Sequence, residues 1–206
     1  MITIKTGVEL SDEKEISKYD AILVGTNTYC SLANGFQYYV SHNYPYVFVD
    51  NCRTKYGDRR KIGTIIASKR DGYPTFVLCY VSLGYNFRPD IISDYLDYEA
   101  LERCLKSVDI IYKGKKLATT LIGSTHFDGN GNREKILEIF NSNIKNVDLT
   151  IYDFEQKSKK TLDYERMIFE LNLRSNDKQA YYSYMKEKKE KEKRLKELKN
   201  KYENDN

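Results

Sequence analysis

The chain has 206 residues and a formal net charge of +4, and its hydrophobic share of 40% counts 19 tyrosines and no tryptophan. That length suits one ordinary domain plus an appendage, and an apolar share below the roughly 45–50% of an average globular chain leaves part of it outside any core. No apolar run reaches the ~18–20 residues of a membrane-spanning helix, and the opening MITIKTGVEL lacks the basic and apolar blocks of an export signal, so a cytoplasmic protein, or one in an intracellularly assembled particle, is expected.

From Ile2 to about Phe154 short apolar runs alternate with helical periods. Strands are predicted at Ile2–Lys5, Ala21–Gly25, Tyr46–Asp50, Ile62–Ser68, Thr75–Tyr80, Leu117–Ile122 and Val147–Tyr152. Several are continuous rather than alternating, as in strands covered on both faces. Leu32, Phe36, Tyr39 and Val40 share one face of a helix following Asn27. Tyr98, Leu101, Leu105 and Val108 share another, with Asp94 or Asp97 as N-cap. A third helix carries Ile136, Ile139 and Phe140 after the turn Gly129–Asn132. The KRDGYP link between Ile62–Ser68 and Thr75–Tyr80 is too short for a crossover helix, so those two strands form an antiparallel hairpin. The expected fold is a three-layer α/β/α domain over residues 1–154, with a mixed, mostly parallel sheet.

Residues 155–206 read as a helical C-terminal extension. After a polar linker, Leu162–Leu173 makes a short amphipathic helix. From Asp177 to about Tyr202 there is no Gly or Pro, and Glu–Lys or Glu–Arg pairs recur at i,i+4, favouring one long solvated helix. Its apolar stripe, broken by Lys188 and Glu192, is too weak for a coiled coil. Nine Lys/Arg against five Glu between Lys186 and Glu203 hold a balance equal to the whole net charge. The body is near neutral, which argues against nucleic-acid binding. The 177–202 helix is expected to project and to meet an acidic protein partner. No membrane partner is expected.

Cys30, Cys52, Cys79 and Cys104 form no CxxC pair, and His42 and His126 are the only histidines. A metal site and a disulfide framework are both disfavoured, and the thiols read as reduced and mostly buried. Cys30 has no basic neighbour along the chain and reads as packing.

Two loops carry the chemistry. Gly25–Phe36 and Gly123–Asn132 each follow the carboxyl end of a predicted parallel strand and lead into a helix. Ligands bind there in open α/β sheets, because glycine-exposed N–H groups and helix N-termini stabilise anions. No GxGxxG follows a strand and no GxxxxGK[ST] occurs.

DAILVGTN (Asp20–Asn27), LANGF (Leu32–Phe36), DYEALERCLKSV (Asp97–Val108), GSTHFDGNG (Gly123–Gly131) and DLTIYDF (Asp148–Phe154) resemble, in order and spacing, the signature segments of macro domains, the ADP-ribose-binding modules. KRDGYPTFVLCYVS (Lys69–Ser82) is similar to the hairpin of the subgroup that removes ADP-ribose from glutamate. The resemblance implies that Asn27, Gly35 and Phe36 meet the distal ribose side. It implies that Gly123, Ser124, Thr125 and Gly129 meet the diphosphate, and that Tyr152 or Phe154 faces adenine. Asp128 matches the subgroup's catalytic aspartate, and His126 beside it suits acid–base work near neutral pH. No cofactor or metal is implied, since backbone N–H groups would meet the diphosphate. The chain departs from the pattern at Val24, where the family has asparagine, and at Gly7-Val8-Glu9, where it has Gly-Asp-Ile and Glu9 stands in for the adenine-binding Asp. Leu83 and Gly84 stand where the subgroup's lysine would fall.

Ordinary roles compete for the same residues: a turn cap for Asn27, an Asx turn for Asp128, edge-of-core packing for Tyr152 and Phe154. Two functions follow. One is binding of ADP-ribose or a related nucleotide diphosphate, with hydrolysis of an ADP-ribosyl ester as its extension. The alternative is a non-catalytic interaction subunit of a larger, viral-type assembly.

Overall fold

The continuous apolar runs become the centre of a six-stranded sheet of order β1-β6-β5-β2-β4-β3. In the computed structural model the described residues are 1–33, 35–84, 96–125 and 129–153, with Tyr182, Met185 and Lys186. The strands are β1 (Ile2–Thr6), β2 (Ala21–Asn27), β3 (Ile65–Ser68), β4 (Phe76–Ser82), β5 (Lys116–Thr120) and β6 (Asp148–Asp153). The helices are α1 (Glu13–Ile16), α2 (Gly35–Asn43), α3 (Pro45–Cys52), α4 (Tyr98–Ile111) and α5 (Arg133–Asn143). β1–β6, β6–β5, β5–β2 and β2–β4 pair in parallel, and β3 pairs antiparallel with β4 as the short link requires.

Strand alternation splits the core in two. Leu23, Val77, Cys79, Leu117, Leu149 and Ile151 face one layer, under Leu101 and Leu105 of α4 and Ile136 and Phe140 of α5. Ile22, Val24, Phe76, Leu78, Ala118 and Tyr152 face the other, under Leu10, Ile16, Val40 and Val47. Each fully buried aliphatic or phenyl side chain contributes roughly 1.5–3 kcal/mol relative to exposure. This is the expected three-layer α/β/α architecture.

Local signals set the helix starts. Asp97 caps α4, accepting from the Ala100 N–H at 2.9 Å, and Asn132 caps α5, accepting from the Lys135 N–H at 2.8 Å. The segment Tyr46–Asp50 corrects the sequence reading: it is helix α3, not a strand. Pro45 occupies its first turn, where a missing N–H costs nothing. The run of β-branched and aromatic residues is sorted by helical spacing, Tyr44, Val47 and Asn51 being buried while Phe48 and Val49 are nearly half exposed.

The chain divides into two compact units, Met1–Gln156 and Lys157–Asn206. The expected helices at 162–173 and 177–202 lie outside the described residues, apart from the helical Tyr182, Met185 and Lys186. Among the described residues no helix is long and apolar enough to cross a membrane. Cys30, Cys79 and Cys104 are buried free thiols, and Cys52 is an exposed one.

Candidate functional site

β2 and β5 are neighbours at the middle of the sheet. From β2 the chain turns into the layer of α2 and α3 and on to β3 and β4. From β5 it turns into the opposite layer, through α5, to β6. The loops leaving the two strands therefore diverge, and the carboxyl ends of β2 and β5 form a topological switch point, where open α/β sheets take ligands. The two loops singled out in the sequence are these two.

The first loop is built on Asn27. Its Oδ1 accepts from the N–H groups of Tyr29 (3.1 Å) and Ser31 (3.2 Å), and its Nδ2 donates to the Ser31 carbonyl (3.1 Å). Asn27 thus fills the turn-capping role. Within that turn Cys30 holds a left-handed φ of +57°. Thr28 ties the loop to β4, its N–H donating to the Ser82 carbonyl (3.2 Å) and its hydroxyl to the Leu83 carbonyl. The Tyr29 ring sits edge-on to Tyr56, centroids 5.1 Å apart, and covers Gly84. A Cβ at Gly84 (φ +137°) would fall 2.1 Å from Tyr29 Cδ2, so a side chain there would strain the backbone and displace the Tyr29 ring. Gly35 opens α2, and Phe36 stacks on Tyr39 with centroids 6.0 Å apart.

The second loop folds back on itself. The Gly131 N–H donates to the Gly123 carbonyl and the Asn130 N–H to the Thr125 carbonyl, both at 2.8 Å, and the Ser124 hydroxyl donates to the Leu121 carbonyl at 2.8 Å. Gly123 (φ +78°) and Gly129 (φ +141°) approach so closely that a Cβ on Gly129 would stand 3.1 Å from the Gly123 Cα. Leu96 fills the space beneath, and a Cβ on Gly123 would meet it at 2.7 Å. Ser124 and Thr125 are half-buried at the rim. His126, Phe127, Asp128 and Phe154 lie outside the described residues.

Tyr152 requires a correction. Its ring is wholly buried in the layer of α1, leaving no face on which a base could stack. Its hydroxyl donates to Glu15 Oε2 at 2.6 Å, lies 2.8 Å from the Tyr19 hydroxyl and accepts from Lys5 Nζ at 3.1 Å. Burial pushes the Tyr152 hydroxyl well above its ordinary pKa, with the hydrogen bonds to Glu15 and Tyr19 acting the same way.

Beside this network lies an open groove of about 740 Å³, lined among others by Glu9, Asp12, Glu13, Glu15, Tyr39 and Asn43. Four carboxyl groups make it hostile to a diphosphate. Glu9, read as the adenine partner, accepts there from the Ser11 hydroxyl at 2.7 Å.

A contact that the sequence concealed sits under the first loop. Cys30 does have a basic neighbour: Lys61 Nζ donates to Cys30 Sγ at 3.3 Å. Lys61 belongs to the 3-10 turn Arg59–Lys61, 31 residues downstream. No spacing rule connects the two.

No protein-family model and no curated protein matches the sequence. Solved structures do match by shape. A protein of unknown function from Bacteroides thetaiotaomicron aligns over 74% of this chain and 98% of its own, with a TM-score of 0.58 at 15% identity. The DarTG structure from Thermosipho africanus, solved in complex with ADP-ribose, aligns over 69% of this chain and 40% of its own, with a TM-score of 0.54 at 16% identity. The macrodomain of Thermus aquaticus DarG aligns over 76% and 99%, with a TM-score of 0.52 at 13% identity. The fold of this chain is that of a macrodomain.

Proposed function

We propose that the chain binds ADP-ribose or a related nucleotide diphosphate between the loops Gly25–Phe36 and Gly123–Asn132. The observation that carries this is the switch point, with two loops at the carboxyl ends of adjacent parallel strands and glycines pressed together in the second. Backbone without Cβ atoms lets phosphate oxygens approach N–H groups, and α2 and α5 start just beyond with their positive ends. That a protein of the same fold was solved with ADP-ribose supports the choice of ligand.

Hydrolysis of an ADP-ribosyl ester extends the same reading, with Asp128 as the general base. Under it Asp128→Ala abolishes release of ADP-ribose from modified glutamate and leaves the fold intact. Asn27 favours the second reading, an interaction module without ligand, because its carboxamide is committed to Tyr29 and Ser31. The charged segment Lys186–Glu203 is proposed to engage an acidic protein surface under either reading.

Titration calorimetry with ADP-ribose separates the two. Binding at or below a Kd of about 1 mM, which corresponds to roughly −4 kcal/mol, supports the nucleotide site. Silence at millimolar ligand removes it and leaves the interaction module.

A further inference from the structure

The near-neutral body segregates its charge. Glu9–Glu15 holds four acidic side chains against Lys14, whereas Arg53–Lys61 holds five Lys/Arg against Asp58. The basic segment runs from the end of α3 through the 3-10 turn Arg59–Lys61, and in its middle stands Tyr56, 71% exposed.

The segment is tied to the body at several points. The Gly57 N–H donates to the Thr28 carbonyl at 2.9 Å, and the Gly63 N–H just beyond the turn donates to the Tyr80 carbonyl at 2.8 Å. Lys61 turns inward, its Nζ donating to Thr54 Oγ1 at 2.9 Å and to Cys30 Sγ at 3.3 Å. Tyr56 meets Tyr29 edge-on, with centroids 5.1 Å apart and ring planes at 77°. An edge-to-face pair covers a single ring face and leaves the others to a planar partner.

Cations flank this ring along the chain. Arg60 holds Asp58, the segment's own carboxylate, through both oxygens, and Arg53 pairs with Asp50 at 3.1 Å. Both pairs end in highly exposed guanidinium groups, where an ion pair is worth little and a phosphate can compete. Lys55 and Arg59 are exposed and form no salt bridge among the described residues. Exposed cations beside an open aromatic ring are the two parts with which proteins hold a single strand: charge on phosphates and a ring under a base. An acidic peptide would satisfy the cations and offer the ring no base to stack. A duplex would do the same, because its bases are already stacked.

We propose that Arg53–Lys61 is a binding surface for single-stranded nucleic acid, with Lys55 and Arg59 on phosphates and a base stacked on Tyr56. The inference does not rest on ADP-ribose binding, and no ADP-ribose enters its test.

The full chain is titrated into fluorescein-labelled DNA and RNA strands of about 16 nucleotides and mixed sequence, and binding is read as anisotropy. Either strand should bind with a Kd of about 100 µM or tighter at low salt, and the matching duplex should bind more weakly. Tyr56→Ala should weaken binding of the strand by about fivefold or more. Lys55→Gln with Arg59→Gln should lower the slope of log K against log salt by about 1.4, since each phosphate contact on a single strand contributes about 0.7. Circular dichroism checks that these variants of exposed side chains are folded. Silence toward both strands overturns the proposal, as does an affinity that Tyr56→Ala leaves unchanged. An unchanged salt slope in the double variant moves the strand to other cations, such as those of Lys186–Glu203, and overturns it too. Polyglutamate that displaces the strand at equal charge would make an acidic protein the partner instead. If a variant does not fold, ultraviolet crosslinking of the wild-type chain to a bromouracil-substituted strand decides: a crosslink at Tyr56 supports the surface, and crosslinks confined to residues outside 53–61 overturn it.

Discussion

The Tyr152 hydroxyl donates to Glu15 Oε2 at 2.6 Å, joining the last strand of the sheet to its first helix. Lys5 from β1 donates to both, at 3.1 Å to the tyrosine and 3.3 Å to the glutamate, so one buried hydroxyl gathers three elements. Removing it leaves Glu15 and Tyr19 without that partner. Tyr152→Phe should therefore cost about 1.5–3 kcal/mol, the range for hydrogen bonds to charged groups, measured by urea denaturation. A loss near zero would mean that water replaces the hydroxyl.

The same carboxylate makes stability depend on acid. Hydrogen bonds from Lys18, then Tyr152, then Lys5 lower the Glu15 carboxyl from its ordinary 4.5 to about 2. Between those values the unfolded chain binds the proton and the folded chain does not, so stability rises with pH across this window. The contribution is complete above 4.5 and is lost as pH falls toward 2. Glu15→Gln should be less stable at neutral pH and should flatten the fall of the urea midpoint across that window. An unchanged slope would assign the acid sensitivity to other carboxylates.

The hairpin β3–β4 was readable in the sequence because KRDGYP is physically too short for any other connection. Helix α3 was not, because Tyr46–Asp50 has strand-like composition and only the packing of Tyr44, Val47 and Asn51 selects the helical period. The two loops were found by their glycines and their place after strands. The fate of individual side chains was not. Whether Asn27 faces a ligand or its own turn depends on the backbone path of Thr28–Ser31, and whether Tyr152 points outward depends on the face that β6 presents to α1. The Lys61–Cys30 contact joins residues from different elements and leaves no local trace.

Gly25 should be irreplaceable for a reason of space alone. Its φ is ordinary, but a Cβ would stand 2.6 Å from Ile122 Cγ2 and 3.6 Å from Val81 Cγ2. Ile122 precedes the second loop, so the strain would pass straight into it. Gly25→Ala should cost about 1–3 kcal/mol, as overpacked cores do, and should lower ADP-ribose affinity further than stability alone explains. Calorimetry at a temperature where the variant is fully folded checks this, and equal affinity would detach the loop from ligand binding.

Gly129 tests the loop from the other side. Its φ of +141° is one that side chains avoid, and its missing Cβ allows the contact with Gly123. Gly129→Ala should cost about 1–3 kcal/mol through backbone strain, confined to a surface loop. Hydrogen exchange should then show faster exchange at Asn130 and Gly131, whose N–H groups close the loop, with the sheet unchanged. Protection lost throughout β5 and β6 would instead make the loop part of the cooperative core.

The boundary at Gln156 predicts opposite outcomes for two truncations. Among the described residues, all six strands and the members of both core clusters lie within Met1–Gln156. Removing residues 157–206 should leave the urea midpoint of the remainder close to that of the full chain. Removing residues 1–6 deletes β1, whose five residues pair in register with Leu149–Asp153, and strips Lys5 from Glu15 and Tyr152. It uncovers the edge of β6, a strand with four buried side chains, and an exposed apolar edge invites pairing with other chains. This second truncation should be unfolded or aggregated by circular dichroism and light scattering. If the first unfolds instead, the C-terminal unit supplies part of the core, and the domain does not end near Gln156.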